Sequence, residues 1–185
     1  YKLGTSVITY QKEFDTSLQI ASSQKAVKKL KSSKPSVASV TSKREDGEYK
    51  IIIKVKKPGT TVITYTSGKD TYKEKIVVKK YQNVIKKITI NGKDITAKFN
   101  KQGICTLSYK QYKNKNIKVQ VIGKTNWSTH HGDYWIEKSG KILKCMTSPE
   151  NKTYSFKLTK KNVALAFSVD DLNTNNYVGY EIRFK

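Results

Sequence analysis

The sequence predicts an all-β protein made of two tandem β-sandwich domains. Val, Ile, Thr and Tyr recur in short runs in which every second residue is apolar, the pattern of strands that bury one face. Turn residues interrupt these runs roughly every 8 to 15 residues, which is typical of a sandwich or barrel. No long segment keeps the period of an amphipathic helix. Helices are therefore expected to be short or absent.

The first half of the chain is predicted to contain seven short strands. Turn signals separate them: Gly47 and Gly59 can take the positive φ that tight turns need, and the segment 67–70 fits a hairpin. Seven short strands suit an immunoglobulin-like (Ig-like) sandwich. The predicted strands are 6–11, 17–21, 27–30, 36–40, 48–56, 60–66 and 72–79.

Two runs in this half resemble the paired signature of group 2 bacterial Ig-like domains. The run KSSKPSVASV at 31–40 is similar to the first signature strand, and KPGTTVITY at 57–65 follows as the second. Leu30 stands where the family usually has Trp, which implies a smaller core. The resemblance covers residues 1–81. It implies a spacer or adhesion module of a bacterial surface protein, with no active site to carry over.

A second series of strands predicts a second sandwich over residues 82–185. Its strongest turn signal is Asn91-Gly92, a dipeptide that type I′ hairpins favour. Apolar residues alternate most clearly in the last strand, from Tyr180 to Phe184. No family resemblance covers this half, so an Ig-like fold is expected from the number of strands and the tandem position. The predicted strands are 88–90, 94–99, 103–109, 116–122, 131–138, 141–146, 153–158, 163–169 and 178–184.

The chain is strongly basic, and its cations are almost all lysines. There are 37 basic and 14 acidic residues, for a net charge of +23, and Arg44 and Arg183 are the two arginines. Arg is the residue that reads guanine edges and phosphates with two parallel hydrogen bonds, whereas Lys is a hydrated point charge. Sequence-specific nucleic-acid binding is therefore not expected. Diffuse attraction to an anionic wall polymer or membrane surface is the alternative to a merely solvated surface.

The expected location is outside the cell. No apolar run approaches the roughly 20 residues that cross a bilayer as a helix, and the chain opens at Tyr1 without a signal region. We therefore expect a processed chain from which any targeting segment was removed, and the location is inferred indirectly, from the resemblance of the first half to bacterial surface modules and from the composition. Lys, Asn, Thr and Tyr dominate the polar surface, a composition that looks like that of a low-GC Gram-positive organism. We therefore expect a secreted or cell-surface protein associated with the wall of a Gram-positive bacterium.

Cys105 and Cys145 are the two cysteines. Both fall in phase with neighbours that are expected to point inward, so they are candidates for a disulfide across the second sandwich. The alternative is two free thiols that pack as small hydrophobic side chains.

The densest group of unusual side chains lies between residues 126 and 135. Exposed Trp and Tyr rings stack on the apolar faces of sugars, while Asp and His hydrogen-bond the hydroxyls. This segment is therefore the candidate carbohydrate-binding site. The alternative is that a tryptophan here fills the core, as the central Trp of Ig domains does. The candidate ligand-binding residues are Trp127, His130, His131, Asp133, Tyr134 and Trp135.

Metal sites and catalytic sites find less support. His130 and His131 point to opposite faces of an extended strand, so Asp133 is the one further ligand in reach and no metal site is predicted. The run 170–176 lacks the spacing of an EF-hand loop and is expected to be a polar hairpin loop. No nucleophile motif surrounds either histidine, and the acidic residues offer no distinctive carboxylate pair. The sequence predicts no cofactor and no enzyme activity.

Three functions remain open at this stage. The first is a surface interaction module whose second domain contacts a glycan or a host protein, which predicts exposed aromatic residues at 127–135. The second is a structural spacer of a larger wall protein, which predicts buried tryptophans. The third is electrostatic attachment to anionic wall polymers, which predicts binding that weakens steeply with salt.

Overall fold

The computed structural model describes residues 2–147 and 152–185. The chain forms two compact units, Tyr1–Tyr81 and Gln82–Lys185, called here the first and the second unit. In both units, strands make up almost all of the regular secondary structure. Within the described residues, no helix has the length and apolarity needed to cross a membrane.

The first unit contains the seven strands that the alternation predicts, most of them slightly longer than expected. Its first strand begins at Lys2 rather than Ser6, and its fourth ends at Glu45 rather than Val40. The strands are β1 (Lys2–Tyr10), β2 (Ser17–Ser23), β3 (Val27–Ser32), β4 (Ala38–Glu45), β5 (Glu48–Val55), β6 (Gly59–Ser67) and β7 (Asp70–Lys80).

These strands form the two sheets of an Ig-like sandwich. One sheet has the order β1-β7-β6-β3 and the other the order β2-β5-β4. In the Ig arrangement the third, sixth and seventh strands share one sheet, and the second, fifth and fourth share the other. Here β1 lies parallel to β7, with Val7 opposite Val77. The strand order therefore shows the Ig-like fold without reference to any sequence signature.

The core of the first unit lies between its two sheets. Ile53 and Ile63, from opposite sheets, are fully buried, and so is Ala38. Gly59 precedes this core in a backbone conformation with φ +146. A Cβ atom there would lie 2.9 Å from Cγ2 of Val37. The glycine that the sequence pattern assigns to this turn is thus required by both the backbone and the packing.

Over residues 82–147 and 152–185, the second unit contains nine strands and two short helices. β8 and β9 meet at the Asn91-Gly92 turn, where both residues have positive φ, as a type I′ turn requires. The strands are β8 (Ile85–Ile90), β9 (Lys93–Asp94), β10 (Ile104–Leu107), β11 (Asn116–Gly123), β12 (Trp127–Ile136), β13 (Ile142–Thr147), β14 (Thr153–Lys157), β15 (Val163–Asp171) and β16 (Tyr177–Phe184).

The second unit is also an Ig-like sandwich. Its larger sheet has the order β10-β16-β15-β12-β13, and its smaller sheet has the order β14-β11-β8-β9. As in the first unit, an early strand, β10, lies parallel to the last strand. Aromatic rings fill the core: Tyr134 stacks on Phe156 with a centroid distance of 4.2 Å, and Phe167 stacks on Tyr180 at 5.6 Å.

Two predicted strands of the second unit are wrong in part. The predicted strand 94–99 is largely replaced by a 3-10 helix, Thr96–Lys98, because Asp94 Oδ1 accepts a hydrogen bond from the Thr96 amide at 2.8 Å and bends the chain. The predicted strand 103–109 ends at Leu107 and is followed by α1 (Tyr109–Tyr112). The register with β16 ends with Leu107 opposite Phe184, and the Tyr109 amide donates a last hydrogen bond to the Lys185 carbonyl at 2.7 Å as the chain turns into the helix.

Candidate functional site

Strand β12 carries all six candidate ligand-binding residues. A β-bulge interrupts its pairing with β15 between Thr129 and Gly132. Because the bulge breaks the strict alternation of a strand, His130 and His131 are both exposed. Strict alternation would have turned one of the two histidines toward the core.

Tyr154 and Gly132 fix the bulge from the core side. The buried hydroxyl of Tyr154 donates a hydrogen bond to the His131 carbonyl at 3.0 Å. The Tyr154 ring lies so close to the strand that a Cβ at position 132 would be 2.7 Å from Cε1 of the ring. These two contacts hold the backbone that presents His131 and Asp133 outward.

The prediction is wrong for Tyr134, which points into the core. Its side chain is 4% exposed and stacks on Phe156 of the smaller sheet. Burial raises the pKa of its hydroxyl. Tyr134, and not a tryptophan, is therefore the residue of this segment that fills the core. It cannot contact a ligand.

Trp127 and Trp135 are both partly exposed. Trp135 lies on the same face as Asp133, two residues away along the strand. Its indole Nε1 is buried and finds no well-formed hydrogen bond among the described residues. The tryptophans therefore match neither the fully exposed rings of a simple sugar platform nor the buried rings of a spacer.

The outward face of β12 and β13 brings together three side chains from two strands. His131 and Asp133 lie two residues apart on β12, and Cys145 of β13 is the direct cross-strand partner of Asp133. His131 Nε2 and Asp133 Oδ2 are 3.0 Å apart. One ligand atom from each of the three side chains lies within 4.8 Å of the other two. We call these residues the β12–β13 cluster.

The cluster is not arranged as a cysteine nucleophile. A reactive cysteine has its pKa lowered by a neighbouring imidazolium or helix N-terminus. Here the Asp133 carboxylate accepts the thiol proton of Cys145 in a hydrogen bond and raises the pKa of that thiol. The carboxylate stands beside both the thiol and His131, so it opposes the thiolate instead of orienting a base that would form it.

The predicted disulfide does not form. Cys105 lies on β10 and Cys145 on β13, the two opposite edge strands of one five-stranded sheet, and both thiols are free. Cys105 is fully buried, as its phase indicates, and burial raises its pKa to about 11. Cys145 is exposed. The expectation that both point inward failed because the register of β13 could not be read from its short and weakly alternating sequence.

A second charged group on this sheet is structural. Glu181 of β16 is 7% exposed and accepts a hydrogen bond from Arg183 Nε at 2.7 Å. Arg183 Nε and Lys185 Nζ also lie 3.5 and 3.6 Å from Glu137. The paired charges neutralise one another, so these two carboxylates are committed to ion pairs with basic residues.

The segment 170–176 closes the hairpin between β15 and β16. Asp171 Oδ1 accepts a hydrogen bond from the Asn173 amide at 3.0 Å, and Asp171 Oδ2 accepts one from the Thr174 hydroxyl at 2.9 Å. Both oxygens thus stabilise the turn itself. This geometry is that of the expected polar loop.

The first unit has a small surface cleft beside the stacked rings of Tyr65 and Tyr72, whose centroids are 5.0 Å apart. The cleft has a volume of about 150 Å³. Pockets that hold small molecules are typically about 300 to 1,000 Å³. This cleft is therefore smaller than a typical small-molecule pocket.

Comparison with known proteins leaves the family open. No family model and no curated protein matches the chain, so the resemblance of residues 1–81 to group 2 bacterial Ig-like domains stays a prediction. Among solved structures, domains 5–6 of the S-layer protein SbsC are 15% identical, with a TM-score of 0.35, and the match covers 98% of this chain and 94% of that one.

Two further structures are similar at a lower level. The adhesin InvE of Yersinia pseudotuberculosis is 8% identical with a TM-score of 0.26, over 97% of this chain and 56% of that one. A chimeric titin Z1Z2 tandem is 8% identical with a TM-score of 0.28, over 98% and 95%. Likenesses this weak carry no argument about what the chain binds.

Proposed function

We propose that the chain belongs to a secreted or cell-surface bacterial protein that acts by binding, and that its second unit contacts a carbohydrate through the outward face of β12. One observation carries the proposal. Strand β12 presents His131, Asp133 and Trp135 on the outward face of the larger sheet, while the inward face of the sheet is buried in the sandwich core. In a chain of net charge +23, an outward group of imidazole, carboxylate and indole is the most distinctive surface feature.

The chemistry of this face suits a sugar. A partly exposed indole offers a flat apolar surface for the C–H face of a pyranose. The carboxylate of Asp133 accepts hydrogen bonds from hydroxyl groups, and the His131 ring can donate or accept them. Because the described residues offer the buried Trp135 Nε1 no well-formed hydrogen bond, a ligand oxygen that reached it would satisfy this donor.

A second candidate function rests on the lysines of the first unit. The edge strand β3 and its flanks expose a row of them, and Thr66 Oγ1 bonds the Lys28 carbonyl, which holds this edge against β6. Such a row attracts polyanions such as teichoic acids without reading their structure. The exposed lysines of this edge are Lys25, Lys28, Lys29, Lys31 and Lys34.

The test is binding to glycans and isolated wall polymers at low and near-physiological salt. We expect salt-tolerant binding of a glycan by the intact chain and its loss in Trp135→Ala. Trp127→Ala is the matched control, because Trp127 lies beyond the bulge at the other end of β12. Both variants are first checked for unchanged cooperative unfolding.

The alternatives give different results. Binding that vanishes at physiological salt and is equal in both variants would show that the lysine row attracts a polyanion and that β12 does not bind a glycan, since counterion release governs such binding. Absence of binding under all conditions would leave a structural spacer.

A further inference from the structure

We propose that His131, Asp133 and Cys145 bind a divalent transition-metal ion, with Zn²⁺ as the best fit, on the outward face of β12 and β13. This site goes beyond the proposed carbohydrate binding and does not depend on it. It rests on the juxtaposition of three ligand types that the pairing of β12 with β13 creates.

The spacing of the ligand atoms fits a single ion. In a tetrahedral zinc site the Zn–N, Zn–O and Zn–S bonds of about 2.0 to 2.3 Å place neighbouring ligand atoms roughly 3.5 Å apart. His131 Nε2 and Asp133 Oδ2 are already 3.0 Å apart, and all three ligand atoms lie within 4.8 Å of one another. Small side-chain rotations of the two exposed residues, His131 and Cys145, close the remaining gap.

The ligand types select the metal. A thiolate, an imidazole and a carboxylate together favour zinc and similar borderline ions over Mg²⁺ and Ca²⁺, which prefer sites made only of oxygen ligands. Three protein ligands leave a fourth position for water or for an external ligand, the arrangement of an open zinc site.

The strands hold the ligands before any ion arrives. Asp133 and Cys145 are register partners in an antiparallel pair, and the His131 carbonyl is anchored by Tyr154. A site on paired strands is positioned more precisely than one on loops. The ligands therefore need side-chain rotation but no refolding.

Local charge also favours a cation. Asp133 Oδ1 is buried, and the described residues offer it no well-formed hydrogen bond; an unpaired buried carboxylate oxygen is costly. Lys144 precedes Cys145 but points to the other side of the strand, where its Nζ donates to the Ser155 carbonyl at 2.6 Å. The nearest lysine in the sequence of β13 is thus turned away from the cluster.

The test is direct metal binding by the complete, reduced chain. Equilibrium dialysis against Zn²⁺ measures stoichiometry and affinity, and Co²⁺ serves as a spectroscopic probe, because a thiolate ligand adds a sulfur-to-metal charge-transfer band. We expect one ion per chain and the charge-transfer band for the unmodified sequence. Cys145→Ser is expected to lose the band and at least about tenfold in Zn²⁺ affinity, and Asp133→Asn a similar factor in affinity.

The matched control is His130→Ala. His130 is an exposed histidine adjacent to the site but outside the cluster, so this variant should keep both the stoichiometry and the band. Cys105 is an internal control for nonspecific binding to a thiol, since it is a buried thiol on the opposite edge strand of the same sheet.

Three results would overturn the site: no stoichiometric ion in the unmodified chain, equal affinity in Cys145→Ser, or a loss in His130→Ala as large as that in Asp133→Asn. Because the assay contains no glycan, its failure leaves the carbohydrate proposal untouched, and failure of the glycan screen leaves the metal site untouched.

Discussion

Asp133 and Cys145 face each other across β12 and β13 as register partners, on the outward side of the larger sheet of the second unit. This pairing determines the surroundings of Cys145. It places Cys145 beside a carboxylate at the surface, while Cys105 is fully buried at the opposite edge of the sheet.

We expect the native chain to have one slowly reactive thiol. An alkylating reagent should modify Cys145, slowly for a surface thiol because the carboxylate of Asp133 raises its pKa, and should spare Cys105 until the chain unfolds. Asp133→Asn should speed the modification of Cys145, because the thiolate is the reactive form. Mass spectrometry of the alkylated peptides measures both rates. If neither cysteine is alkylated in the native chain and both become reactive after reduction, the two cysteines form a disulfide and this prediction is wrong.

Gly132→Ala should destabilise the second unit by roughly 1–3 kcal/mol, because the added Cβ overlaps a buried ring that has no room to move. The ring is that of Tyr154, 2.7 Å from the new atom. Urea unfolding measures the free energy of unfolding. Ser155→Ala, an exposed change on the strand that carries Tyr154, is the control and should have little effect. Equal midpoints for the two variants would contradict this packing.

Tyr180→Phe should cost about 1–3 kcal/mol, because it leaves a buried amide without its acceptor. The Tyr180 hydroxyl accepts a hydrogen bond from the Val84 amide at 2.9 Å and donates one to Asn83 Oδ1 at 2.9 Å. Tyr177 lies on the same strand and is 46% exposed, so Tyr177→Phe should change stability far less. Thermal and urea unfolding measure the difference. Similar losses in the two variants would argue against the hydrogen bond.

Arg183→Met should destabilise the second unit by about 1–3 kcal/mol at neutral pH, since it leaves the carboxylate of Glu181 buried without its partner. The double change Arg183→Met with Glu181→Gln should recover part of the loss, because no buried charge then remains. Arg44→Met is the control, since Arg44 is the other arginine and is exposed. The free energy of unfolding lost in the double variant is compared with the losses of Arg183→Met and Glu181→Gln added together. A loss in the double variant as large as that sum, or larger, would disprove the coupling.

Glu45 should titrate well below an ordinary glutamate. Hydrogen bonds from Lys50 at 2.7 Å and Lys43 at 3.1 Å lower its pKa from 4.5 to about 2. Because the folded pKa lies below the unfolded one, the stability from this group is present above about pH 4.5 and is lost as the pH falls through about 2. NMR titration of the carboxyl measures the midpoint.

Lys50→Gln should move the Glu45 midpoint upward, toward 4.5, whereas Lys54→Gln on the same strand should leave it in place. High salt should also raise the midpoint, since the pair is at the surface and ions screen it. A Glu45 midpoint near 4.5 in the unmodified chain would show that the ion pairs do not form in solution.

Much of the fold could be predicted from the sequence because its signals are local. The alternation of apolar residues predicts the strands of the first unit, and Asn91-Gly92 and Gly59 predict turns that need positive φ. The strand over 94–99 was mispredicted for an equally local reason, since an aspartate side chain competed with the ladder at Thr96.

The candidate site depended on information that is not local. The sequence singled out His131, Asp133 and Trp135 because such residues are rare in this chain, but it also counted the buried Tyr134 among the ligand-binding residues and left Cys145 out. A bulge that exposes both histidines and a register that sets Cys145 opposite Asp133 arise from pairing between strands.

The sequence by itself determined that this chain is all-β, where most of its strands lie and how its charge is distributed, because periodicity, turn residues and composition act within a few residues of chain. The tertiary structure decided which side chains share a face. The cluster of His131, Asp133 and Cys145 exists because two strands pair in one register, and that register is fixed by the packing of the whole sandwich.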